Sequence, residues 1–159
     1  MQPFNQFPDA SRVWIYVAAK PITSSQLTEI NQVLEDFAER WTAHNQALKA
    51  YAKVHDEHFV VLMVDETQAG ASGCSIDTSV RFIQQLEQDY QLVLLDRMIF
   101  AYQKDHKAIT VNAEELATLY RNGEIEDRTL VYNPLIQRKS DFESKWLIPL
   151  EDSWHKRMV

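Results

Sequence analysis

Glycine and cysteine are scarce in this chain, and each scarcity removes a class of chemistry. One cysteine, Cys74, among 159 residues leaves no internal disulfide and no multi-cysteine metal centre. Three glycines cannot build the common nucleotide loops. Neither G-x-G-x-x-G nor a glycine followed by Lys and Ser/Thr occurs. Basic residues are also in deficit, with 16 Lys and Arg against 23 acids, a net charge of −7 and a pI ≈ 5.2. Such a surface repels phosphate backbones, so no nucleic-acid partner is expected. Long apolar runs are missing too. Val13–Ala19 and Phe59–Val64 are far too short to span a bilayer, so no membrane partner is expected. The N-terminal stretch MQPFNQFPDASRV lacks the basic region followed by an apolar region of a secretory signal, which points to a cytoplasmic location.

What is present suits one globular domain: 45% hydrophobic and 25% charged residues. After an irregular arm that Phe4 and Phe7 pin to the body, Arg12–Ala19 reads as a strand, rich in β-branched and aromatic residues. Thr23 with Gln26 resembles a capping box. Leu27, Ile30, Leu34, Phe37 and Trp41 then form one apolar stripe, predicting a helix that ends near Ala43 or His44. Leu48–Val54 and His58–Asp65 read as an antiparallel hairpin, with Phe59–Val64 as a central strand covered on one face by helices. A second amphipathic helix carries Ile76, Val80, Ile83, Leu86 and Tyr90, and Leu92–Leu95 with Met98–Tyr102 supply one or two further strands. The order β-α-β-β-α-β predicts an α+β fold with a ferredoxin-like core over residues 12–103, its antiparallel sheet carrying both helices on one face. Residues 104–159 exceed that motif and read as a C-terminal α/β extension packed on the core. In it, Asn112 with Glu115 and Ser140 with Glu143 resemble caps, and Gly123 sits where a helix-terminating glycine belongs.

The stretch Asp65–Tyr90 concentrates the candidate chemistry. A strand end, a loop of small residues and a helix start follow one another, and the first amides of a helix have no intrahelical partner. Ser72, Gly73, Cys74, Ser75 and Asp77 are therefore the candidate ligand-binding residues, for a small anion or a partner. The alternative is a tight turn that merely needs small side chains, and Asp77 by default reads as a helix cap. Cys74 before a helix start is a candidate nucleophile, with His44 or His155 as its base. Cysteine more commonly packs as a small hydrophobe, and a core position is the default expectation for Cys74. His44, Cys74 and His155 have the right types for zinc, but no closely spaced ligand pair supports a site, so neither a metal nor a cofactor is expected. Asp96-Arg97, within an apolar stretch, reads as a buried ion pair, a sheet edge or a site wall.

The segments WTAH (Trp41–His44), ASGCSID (Ala71–Asp77), DRMIFAY (Asp96–Tyr102) and SWHKR (Ser153–Arg157) resemble a bacterial family of stand-alone proteins of about this length, often labelled "ABC transporter ATPase" by automatic transfer. That label implies a Walker A loop, which is missing here, so ATPase activity is not expected. Asn45 stands where the family has a glycine after the histidine, and asparagine also tolerates the left-handed region. The resemblance brings no catalytic residues with it. The expected function is a non-catalytic binding or regulatory protein that forms a homodimer through its sheet. The alternative is a small thiol-dependent hydrolase or transferase using Cys74.

Overall fold

The computed structural model describes all 159 residues. In chain order the elements are β1 (Arg12–Val17), α1 (Ser24–Arg40), β2 (Thr42–Ala43), β3 (Gln46–Ala47), β4 (Lys49–His55), β5 (Phe59–Asp65), α2 (Gly73–Tyr90), β6 (Ile99–Lys104), β7 (Lys107–Asn112), α3 (Ala113–Arg121), β8 (Leu130–Tyr132), α4 (Asp141–Ser144) and β9 (Leu147–Pro149). Single 3-10 turns cover Phe4–Gln6, Leu150–Asp152 and Trp154–Met158. No helix is long and apolar enough to cross a membrane.

The fold is α+β, with every strand pairing antiparallel. One sheet runs β1-β5-β4, and a second runs β7-β6-β8-β9. The sheets stack face to face between two helical layers. On the outer face of the first sheet, Ile30, Leu34 and Phe37 of α1 and Ile83 and Leu86 of α2 pack with Val60, Leu62 and Val64. On its inner face, Phe59, Val61 and Met63 meet Ala101, Ala108 and Tyr132 of the second sheet. Behind the second sheet, Phe100, Tyr102, Val111 and Val131 pack with Leu116 of α3 and with Leu150. β5 is the centre strand, with helices on one face as expected and the second sheet on the other, and each of its residues is at most 6% exposed. An unbroken apolar run is what a strand buried on two faces requires.

The ferredoxin-like arrangement expected from the element order does not form. The strand after α2 would have to return beside β1; instead β6 founds the second sheet with β7. The cause lies in residues 91–98. Gln91 turns left-handed at the end of α2 (φ 55°), and the Glu87 carboxylate accepts the amides of Leu94 (2.8 Å) and Leu95 (3.1 Å). A side chain from the preceding helix thereby holds two successive amides on one side, a geometry that no β-strand has, and the segment stays irregular. The boundary expected at 103/104 falls inside the β6–β7 hairpin.

α1 also ends earlier than its apolar stripe suggests. Trp41 leaves the helix in an extended conformation, its ring 2% exposed, and its indole N–H donates to the carbonyl of Ser75 (2.9 Å). His44 and Asn45, both at positive φ, then form the tip of the β2–β3 hairpin. Asp56-Glu57 and Asp105-His106 serve the β4–β5 and β6–β7 turns in the same way. With both central residues left-handed, these are turns of the I′ kind, made without glycine. The arm is pinned as expected: Phe7 is buried, and Phe4 meets Tyr51 and Phe142 edge-on.

Candidate functional site

The loop before α2 is internally satisfied over most of its length. Asp65, at the end of β5, accepts from both the amide (3.0 Å) and the hydroxyl (2.7 Å) of Thr67, which hold its carboxyl below the usual range. Glu66 turns into the loop. One oxygen accepts the amide of Ala71 (2.9 Å), and the other lies 3.6 Å from the Arg138 guanidinium. A Cβ on Gly70 would meet that carboxylate at 3.0 Å, a contact that a small shift of the Glu66 side chain relieves. Ser72 caps α2 reciprocally with Ser75: each side chain accepts the other's amide, at 3.1 and 2.7 Å. The cap is therefore Ser72, and Asp77 lies one turn into the helix, exposed. Gly73 is exposed as well.

Cys74 is exposed on the first turn of α2, which corrects the expectation of a core thiol. His44 is exposed at its hairpin tip. His155 is the opposite case, 0% exposed in the last 3-10 turn. Its ring stacks on Trp154 at 3.8 Å and meets Phe100 edge-on, and Nδ1 lies 2.5 Å from the Ser153 hydroxyl. Burial holds its pKa down to about 4, so the imidazole is neutral. Nowhere do three His, Cys, Asp or Glu side chains gather as a metal site would need, so His44, Cys74 and His155 are not brought together.

An apolar concavity lies elsewhere, along the outer edge of β1. Its volume is about 690 Å³ and most of its lining is apolar. β1 forms the floor. Ile76 and Val80 of α2 with the irregular Leu94–Arg97 form one wall; Ile99, Pro134–Gln137 and Trp154 form the other. Asp96 and Arg97 line this concavity and form no ion pair with each other. The Asp96 carboxylate accepts the amide of Met98 (2.9 Å). The Arg12 guanidinium lies 4.9 Å over the Trp14 ring. Neither Arg12 nor Arg97 enters an ion pair. Burial raises the pKa of Tyr16, in the floor, opposed by its hydrogen bond with Ser79.

The groove follows a sheet edge left partly bare. Ala18 donates to the His58 carbonyl across the ladder, so even-numbered residues of β1 bond to β5 and odd-numbered ones point outward. Of these, Val13 donates to the carbonyl of Gln137 (3.0 Å), and Ala19, just beyond the strand, to that of Val93 (3.0 Å). Between them the amides and carbonyls of Ile15 and Val17 have no partner. The large hydrophobic side chains left exposed are Met1, Val93, Met98 and Leu135, and the last three belong to segments that rim this groove. Sequence reasoning missed the site because it placed a strand on that edge. The one signal available was the Asp96-Arg97 pair in an apolar stretch. Compared with protein-family models, with curated proteins and with solved structures, the chain matches none.

Proposed function

We propose that this is a cytoplasmic, non-catalytic binding protein whose ligand lies in the groove along β1, beside the first turns of α2. The observation that carries the reading is the coincidence of a ligand-sized apolar groove with exposed Leu135 on its lining, exposed Val93 and Met98 beside it in sequence, and two unpaired arginines. Concave apolar sites with few polar groups are where ligands bind, and exposed apolar patches mark contact surfaces. The Gly70–Asp77 region then acts as a flank of the site. A free small anion at Ser72–Ser75 is the weaker form of the reading, because Glu66 already brings a carboxylate into that loop. Titration with the apolar anion anilinonaphthalene sulfonate tests the proposal. The expected result is saturable one-site binding that Leu135→Asp and Ile76→Asp each weaken several-fold. Unchanged binding in both variants would remove the groove as the site.

The exposure of Cys74 keeps a thiol enzyme as the second reading. It requires hydrolysis of a p-nitrophenyl ester that Cys74→Ala abolishes without altering the melting temperature. Hydrolysis that persists in the variant, or that never exceeds buffer, ends it.

A further inference from the structure

We propose that the occupant of this groove is a short extended segment of a partner protein, taken up as an added strand on β1, apolar in its middle and carrying carboxylates at its ends. The inference rests on the binding reading above and gives it a ligand class.

Backbone chemistry supplies the first argument. The free N–H and C=O groups of Ile15 and Val17 alternate along the groove floor as a strand's partner would need them. Only another extended main chain offers donors and acceptors at that spacing. An acyl chain or an aromatic metabolite fills the apolar volume but leaves those groups unanswered. The second argument is length. The edge is closed at one end by Gln137 and at the other by Val93, between β1 residues 13 and 19. At about 3.3 Å per residue, that opening accepts roughly four to six residues of strand.

Side-chain character follows from the walls. Successive residues of an added strand point to opposite faces. One face meets Ile76 and Val80, the other Ile99 and Leu135, so apolar residues are favoured at every central position. Charge follows from Arg12 and Arg97, which line the groove without ionic partners in a chain of net charge −7. A second copy of this chain fits less well. Edge-to-edge pairing of two β1 strands would bring two sets of raised walls together over a short opening.

The test uses the intact protein and the fluorescein-labelled hexapeptide Glu-Val-Val-Val-Val-Glu. Saturable binding is expected by fluorescence anisotropy. The same peptide N-methylated at alternate amides keeps its side chains but loses strand donors, and should bind at least about tenfold more weakly. Ile15→Pro removes an outward amide that makes no bond to β5, so the β1–β5 ladder remains and peptide affinity should fall comparably. Arg97→Glu should weaken binding and make it less sensitive to salt. Equal binding of both N-methylated registers and the parent overturns strand addition while leaving an apolar ligand site intact, and dodecanoate displacing the peptide in an Ile15→Pro-insensitive way does the same. Absence of peptide binding overturns the proposal. So does a concentration-dependent dimer that Ile15→Pro dissociates, which would assign the edge to a second copy.

Discussion

The two edges of the first sheet are treated in opposite ways. At β4 the outward amide of Val54 donates to the Asn31 side chain of α1 (2.9 Å), and that of Ala52 points at the Met1 sulfur (3.3 Å). At β1 the outward groups of Ile15 and Val17 meet nothing. An open edge invites pairing with any other chain, and proteins usually blunt it. Here one edge is blunted by a dedicated asparagine and by the chain terminus, while the other is left open inside an apolar groove. The same sheet therefore contains its own control. The edge spared the plug is the one equipped to receive something.

The comparison can be broken most forcefully from the middle. Leu62, fully buried in β5, supports both edges, and Leu62→Ala should cost about 2–5 kcal/mol through lost burial and a residual cavity. Denaturant unfolding measures it, and both edges should fail together. Acid comes next. His155 stacks on Trp154 in the groove's far wall and stays neutral in the fold to about pH 4, whereas in the unfolded chain it protonates near 6.5. The unfolded state binds the proton first on acidification, so stability holds above about pH 7 and falls between 6.5 and 4, by up to about 3 kcal/mol. His155→Gln should flatten that part of the curve. Some slope will persist, because burial also holds His55 below its ordinary value. A smaller effect is expected at the plugged edge. Asn31→Leu leaves the Val54 amide without its partner and should cost about 1–3 kcal/mol. Leu135→Asp, on the rim of the open edge and 66% exposed, should shift stability by no more than about 0.5 kcal/mol while weakening dye and peptide binding several-fold. Should Asn31→Leu prove neutral and Leu135→Asp destabilising, the contrast between the edges collapses.

Much of the local structure was written in the sequence, because its causes are local. β-branched and apolar runs located β1, β4 and β5, and period-3.6 stripes located the two long helices. The Asn112/Glu115 capping box is formed, and Gly123 turns left-handed after α3 (φ 76°). The failures have long-range causes. Leu92–Leu95 has the composition of a strand, and nothing within it reveals that Glu87 captures its amides. His55 and His58 lie on either side of a polar turn, where sequence alone puts them in solvent. In the structure His55 Nε2 shares a hydrogen bond with the Tyr51 hydroxyl at 2.8 Å, and His58 is buried. The groove was illegible for the same reason: it lies where a strand was expected, and the Glu87 carboxylate instead holds that segment by two of its amides. The exposure of Cys74 depended on the helix starting at Gly73 with Ser72 as cap. Asp77 as a default cap pointed several residues downstream.

The glycine-free hairpins bear on how the chain finds its fold. Apart from Asn45, the left-handed residues at the three tips (His44, Asp56, Glu57, Asp105 and His106) include none that enters that region as freely as glycine. Each resists it by about 1–2 kcal/mol, less for Asp, so no tip closes ahead of its strands. Zipping then waits for collapse around β5, a step that joins residues far apart in sequence and is slow for that reason. The tips lock last. Glu57→Gly should therefore slow unfolding, by an amount corresponding to about 0.5–1 kcal/mol, and leave the refolding rate where it was. The strain at the tips makes them a brake on the native state's lifetime, not a guide to its assembly.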